Sequence, residues 1–250
     1  SIRGALSSGV GFVSAIIPEL VAESSWHVAP EIVLKATMKS DKNGNASLFS
    51  ALKNIDLTAY QSLALGPGIG IDNNDWEKSK DYLLSFEGLL ILDADALNRI
   101  SESSLGSKFF LERESKTWIT PHIKEFMRLF PDITYENKVE LVMNIAKEFN
   151  IGILLKGANS IIADKKSAWQ LFGTDSETAR AGLGDLLTGF VAGSSAIDLS
   201  ICKNIKAESF AKYVLLHSFA ASKCKEGSNA SLIGDELSKL VRKIKTRQML

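Results

Sequence analysis

Cysteine, histidine and surplus charge are all scarce in this chain. Its two cysteines, Cys202 and Cys224, stand in 250 residues and form neither a disulfide framework nor a metal-ligand spacing. That excludes a disulfide-stapled scaffold and fits a reducing cytoplasm. Lys+Arg and Asp+Glu both number 29, so the formal net charge is zero. No long-range field would steer the chain to nucleic acid or an anionic membrane surface. No apolar run approaches the length of a membrane span, and no signal peptide is visible. With three histidines, no His/Asp/Glu cluster has ligand spacing, which disfavours a metal-only hydrolase. There is no internal repeat, low-complexity tract or linker that would force a domain boundary, and residues 39–45 (KSDKNGN) read as a polar loop. The first residue is Ser1 rather than Met, which leaves room for processing or truncation. A soluble cytoplasmic protein is expected.

What is present is apolar sequence, 45% of the chain, enough for a full core in one α/β domain over residues 1–250. Short apolar runs bounded by Gly, Pro or Asp predict strands at Gly11–Ile17, Ser62–Leu65, Leu89–Leu92, Thr117–Ile119, Gly152–Lys156, Ser160–Ala163 and Trp169–Phe172. Helical spacing predicts helices at Asp75–Phe86, Lys124–Phe130, Val139–Phe149, Asp185–Ser194, Ala207–Lys223 and Gly234–Lys245. The last sets Leu237, Leu240, Val241 and Ile244 on one face and basic residues elsewhere, a solvated exterior over a core stripe. Alternating strands and helices imply a largely parallel sheet covered on both faces. Residues 154–162 read as a hairpin turning at Gly157-Ala158-Asn159.

Chemistry in such sheets collects at the carboxyl ends of strands, and five segments fall there. Gly182 and Gly184 open the backbone before the apolar run Leu186, Leu187, Phe190, Val191, so Gly182 to Asp185 should form a first helical turn. Its free N–H groups and positive dipole end suit a phosphate. Asp185 would repel bound phosphate, yet fits a hydroxyl about to receive a phosphoryl group; alternatively it is a favourable first-turn anion. Gly66-Pro67-Gly68-Ile69-Gly70 lets the backbone approach a ligand closely, or is an ordinary tight turn. Asp93 and Asp95 could hold Mg²⁺ through water or cap the following turn. His122 stands at a strand-to-helix junction and is the histidine expected to be functional; His217 reads as a satisfied core residue and His27 as a loop residue. Lys156 ends a buried strand and needs an anion, either a nucleotide phosphate or a protein carboxylate.

Taken together, ALGPGIG (64–70), LDADALN (92–98), TPHIKEF (120–126), LLKGANSIIAD (154–164), ARAGLGDLLTGFVAG (179–193), LLHSFAA (215–221) and SLIGDEL (231–237) resemble the ADP- or ATP-dependent NAD(P)H-hydrate dehydratase family. The resemblance covers nearly the whole chain and implies a ribokinase-like fold. It implies a lyase that phosphorylates the ring hydroxyl of hydrated NADH or NADPH with ADP or ATP, Mg²⁺ being expected, and then eliminates phosphate. It assigns catalysis to Asp185 and contact with the hydrated dinucleotide to Gly68, Gly70, His122 and Asp185. Lys156, Gly157, Ala158, Asn159, Ser160, Gly182 and Gly184 are assigned to the adenine nucleotide. It further implies a homo-oligomer, fused to or acting with an epimerase domain. Two departures stand out. By the resemblance, roughly one βα unit, about 30–40 residues, is expected to be missing ahead of Ser1, and Leu183 replaces the family's Thr, removing one hydroxyl near the phosphates. A small-molecule kinase of the same fold and a non-catalytic nucleotide-binding module remain as alternatives.

Overall fold

The computed structural model describes residues 1–131, 133, 136–172, 181–202, 204–224 and 228–248, apart from the side chains of 28 and 245–248. Residues 179 and 180, within the quoted 179–193 segment, lie outside the described residues.

The strands are β1 (Ser14–Pro18), β2 (Val33–Met38), β3 (Ser62–Leu65), β4 (Leu89–Leu92), β5 (Thr117–Ile119), β6 (Gly152–Leu155), β7 (Ile161–Ala163) and β8 (Ala168–Gln170). The helices are α1 (Ile2–Ser7), α2 (Glu19–Val28), α3 (Leu48–Leu52), α4 (Asn73–Leu84), α5 (Ala94–Glu102), α6 (Phe109–Glu112), α7 (Ile123–Leu129), α8 (Lys138–Glu148), α9 (Leu183–Cys202), α10 (Ala207–Lys223) and α11 (Ala230–Gln248). β3 to β8 form one six-stranded sheet in sequence order. Its first four strands are parallel and β7 and β8 antiparallel, so 154–162 is the expected hairpin.

Why the apolar runs are continuous is plain from their two-residue period. Leu90 and Leu92 of β4 join Ile119, Ile153 and Leu155 in a core with Trp76, Phe109 and Phe126 from the α3–α8 side. Leu89 and Ile91 join Trp118, Leu154 and Ile162 in a second core under α9, α10 and α11. Trp118 stacks on Phe210 of α10 with ring centroids 3.8 Å apart. Both faces of the sheet are thus covered.

Several expectations need correction. β1 and β2 pair only with each other, as a separate two-stranded parallel sheet. The strand expected from Gly11 begins at Ser14. β2, α2, α3 and α5 were not anticipated: β2 alternates exposed and half-buried side chains and so lacks the unbroken apolar signature. α9 extends to Cys202, and its 20 residues have a mean hydropathy of 1.3. By length and composition it could cross a membrane, contrary to the expectation that no run would reach that length. Here it is a core helix: 56% of that window is buried, and α1 lies tight against it. A Cβ on Gly189 would stand 1.7 Å from the Ser1 carbonyl oxygen, so the two backbones meet only because the residue is glycine. His217 is buried as expected but not fully satisfied. Its ring hydrogen-bonds the Leu183 backbone, while Nε2 has no partner among the described residues.

Candidate functional site

Register brings the strand ends together. Leu65 pairs with Leu92 and Leu92 with Ile119, so the following residues lie side by side. The Asp93 N–H donates to the Leu65 carbonyl at 3.0 Å and the Lys156 N–H to the Pro121 carbonyl at 2.8 Å. Gly66, Asp93, His122 and Lys156 therefore form one row at the carboxyl edge of the parallel strands, where the fold class places ligands. α9 opens above this row.

α9 begins as its sequence demands. Gly182 takes φ +80°, a left-handed conformation natural to glycine, and its carbonyl accepts the Leu186 N–H at 2.9 Å. Asp185 stands exposed in the first turn. With Gly66, Gly68 and Gly182 it lines a cavity of about 730 Å³, within the range of small-molecule sites. The same cavity is bordered by β1 and β3, the facing edges of the two sheets.

On the other side of that first turn lies Lys156. Its Nζ would be 3.5 Å from a Cβ on Gly184, so the ammonium sits beside the opening turn of α9. It is paired with Asp93 Oδ1 at 2.6 Å; the anion that sequence reasoning required is, in this state, a protein carboxylate. Asp93 Oδ2 accepts from Thr188 Oγ1 at 2.5 Å. Both oxygens of a carboxylate only 1% exposed are thereby engaged within the protein. The capping alternative fails, since Asp93 occupies the N-cap position of α5 without a side-chain cap bond. Asp95 is also committed, its Oδ2 accepting the Gly70 N–H at 2.9 Å.

Gly70 accordingly holds a turn instead of lining the cavity. Its N–H is taken by Asp95, and its carbonyl accepts from Arg99 Nε at 2.7 Å. Arg99 is the principal residue that sequence reasoning missed. Completely buried, it donates also to the carbonyls of Ala46 and Ile69 and pairs with Asp75 at 3.0 Å. A buried guanidinium that saturates three carbonyls and a carboxylate fixes the Gly66–Gly70 loop rigidly. In sequence it carried no signal, because its partners are distant.

His122 is half exposed and does not reach the cavity lining. Nδ1 accepts from the N–H groups of Lys124 and Glu125, and Glu125 Oε2 accepts the His122 N–H at 2.9 Å, a reciprocal cap on α7. Its main chain bridges Lys156, which keeps it within the row. In the 157–160 turn, Gly157, Ala158 and Asn159 are exposed, and Ser160 Oγ donates to the Gly157 carbonyl at 3.0 Å.

A doubly covered sheet with a helix mouth over its strand ends is the architecture of a ribokinase-like α/β protein. A ribokinase-like superfamily protein from Enterococcus faecalis superimposes with a TM-score of 0.76 over 97% of this chain and 80% of that one, at 21% identity. The ADP/ATP-dependent NAD(P)H-hydrate dehydratase from Bacillus subtilis, co-crystallised with ATP/Mg²⁺ and soaked with CoA, gives 0.72 over 98% and 84%, at 22% identity. In sequence, the bifunctional NAD(P)H-hydrate repair enzyme Nnr of Synechocystis sp. is 35% identical over 191 residues, 76% of this chain and 35% of the relative. Residues 1–244 match the NAD(P)H-hydrate dehydratase family model, and the chain belongs to that family. It spans about a third of the length of the curated relatives it matches.

Proposed function

We propose that this chain dehydrates hydrated NADH or NADPH at the expense of ADP or ATP. The observation that carries the reading is the position of Asp185: exposed in the first turn of α9 and on the wall of a cavity that also presents Gly66 and Gly68.

The substrate hydroxyl, placed against Asp185, attacks the terminal phosphorus of the nucleotide. The O–P bond forms as the bond to the nucleotide leaving group breaks, and Asp185 accepts the hydroxyl proton late in the step. N–H groups of Gly182 to Asp185 face the negative charge that builds on the transferred group. Phosphate then departs with the C–O bonding pair, pushed by the ring-nitrogen lone pair. Loss of a proton from the neighbouring carbon restores the double bond.

Lys156, Gly184 and the 157–160 turn supply the nucleotide side, and Gly68 with Asp185 the dinucleotide side. Gly70 acts by holding its loop. His122 meets the dinucleotide from the rim. Asp93 and Lys156 cancel one another in charge and Asp185 adds a negative one, so a polyphosphate needs its own countercharge. Mg²⁺ carried on the phosphates would supply it, with Asp185 the exposed carboxylate beside it; Mg²⁺ commonly binds through one or two carboxylates plus substrate phosphates. The chain acts in the cytoplasm, alone or with an epimerase domain. Homo-oligomerisation is supported by the exposed apolar residues Leu20, Val21 and Trp26 on α2.

The test is to supply hydrated NADH with ADP or ATP separately and follow absorbance of regenerated NADH. Regeneration dependent on either donor is the expected result. Accumulation of a phosphorylated adduct would instead make the chain a kinase, and nucleotide binding without turnover a non-catalytic module.

A further inference from the structure

Asp93 spends a buried charge in an unusual way. As the N-cap residue of α5 it is placed to accept backbone N–H groups of its own helix, the usual use of aspartate there. It makes no such bond. The residue that follows, Ala94, takes φ +47°, a conformation strained for any side chain with a Cβ. The carboxylate goes instead to Lys156 at 2.6 Å and to Thr188 at 2.5 Å, 63 and 95 residues away in sequence. Its own backbone is wedged as well: a Cβ on Gly66 would stand 1.7 Å from the Asp93 carbonyl oxygen. Thr188 is fully buried one turn beyond Asp185 on α9, so Asp93 joins the end of β4 to that helix. Lys156 is 22% exposed on its side chain, open enough to meet a phosphate without leaving its partner.

We infer that Asp93 is a positioning residue: with Thr188 as its brace, it holds the Lys156 ammonium at the opening turn of α9, where phosphoryl charge develops. The inference rests on the proposed dehydratase reading and gives a role to a residue that this reading uses only as the countercharge of Lys156. A flexible lysine held in place loses less freedom when the transition state forms, so the gain falls on turnover more than on binding. Because the carboxylate also competes with phosphate for the ammonium, Asp93 adds nothing to ground-state nucleotide affinity.

The experiment combines Asp93→Asn, Lys156→Met and the double variant with ADP as the binding probe. Asp93→Asn keeps the size of the residue and an acceptor for Thr188. It should lower kcat at least about tenfold while the calorimetric Kd for ADP stays unchanged or tightens. Lys156→Met should weaken ADP binding and strand an unpaired buried carboxylate, lowering Tm. Adding Asp93→Asn to Lys156→Met should recover part of that Tm and cost no further kcat, since Asp93 acts through the lysine. Multiplicative losses of kcat, or a weakened Kd for ADP in Asp93→Asn, would overturn the inference. Wild-type protein that binds neither ADP nor ATP would remove the phosphoryl-transfer reading and this inference together, an outcome distinct from a failure confined to the variants.

Discussion

The strand-end row of the six-stranded sheet and the β1–β2 sheet beside it stabilise themselves by opposite means. In the first, polar groups are densely engaged. Arg99 meets three carbonyls and Asp75, Asp93 meets Lys156 and Thr188, and Asp95 meets Gly70. In the second, a small apolar cluster of Ala15, Ala29 and Ile32 adjoins the 730 Å³ cavity, with Phe12, Leu20 and Trp26 exposed. The row is rigid because each buried charge has a fixed partner. The neighbouring sheet leaves space, and Asp185 stands where the two meet. Chemistry at such a junction uses rigid donors from one side and room for substrate from the other.

The largest expected effect removes the group at that junction. Asp185→Asn should reduce turnover by about 10²–10⁴-fold, in the range for losing a general base, with ADP binding retained in calorimetry. A variant with normal turnover would take Asp185 out of the mechanism.

Next come two glycines of one loop that separate the rigid side from the open one. Gly66 has φ +136° with the Asp93 carbonyl against it, whereas Gly68 has φ +76° and open space where a Cβ would go. Gly66→Ala should therefore cost about 3 kcal/mol or more, from strain and overlap together. Gly68→Ala should cost about 1 kcal/mol, from its backbone conformation alone. Denaturant unfolding of both variants checks this, and equal losses would erase the contrast.

A third test titrates the polar side. Burial pushes His217 down to about 4, opposed by its bond to the Leu183 backbone. The unfolded chain takes up this proton near pH 6.5 and the folded chain only near 4. Stability is therefore intact above about pH 6.5 and falls as pH drops toward 4, by about 3 kcal/mol at most. His217→Gln should flatten that part of the stability–pH curve, read by urea unfolding at a series of pH values.

The smallest effect concerns His122, which caps α7 and is proposed to meet the dinucleotide as well. His122→Ala should lose about 1 kcal/mol through the α7 cap and raise the KM for the hydrated dinucleotide more than that for the nucleotide. His122→Asn, which can cap, should restore Tm and keep the KM effect. Equal changes in both KM values would remove His122 from the dinucleotide side.

Reading the sequence worked where a signal is local. β3, β4 and β5 were expected at their observed bounds, because each is a short apolar run closed by Gly, Asp or Thr, although only β4 and β5 are buried throughout and β3, at the sheet edge, is half-buried. The opening of α9 was legible from Gly182, Gly184 and the apolar spacing beyond. β2 was not, because VLKATM (33–38) alternates and places Lys35 mid-strand. α5 was read as a turn because LDADALN suggests caps before it suggests a helix. Within the site, the need of Lys156 for an anion could be deduced from its place after a buried strand. That the anion would be Asp93, braced by Thr188, could not, and Arg99 gave no sign of being buried.

The amino-acid order alone therefore determined the parallel α/β architecture and an acidic residue at a helix mouth, since these follow from side-chain periodicity and glycine placement within a few residues; the family came from the resemblance of its motifs to a known one. Folding alone decided how the charges pair, that Asp95 and Gly70 would be spent on each other, and that β1 and β3 would border a cavity instead of joining. The physical reason is range: backbone preference and hydrophobic period act between neighbours, whereas a buried ion pair or a void exists only once distant segments have packed.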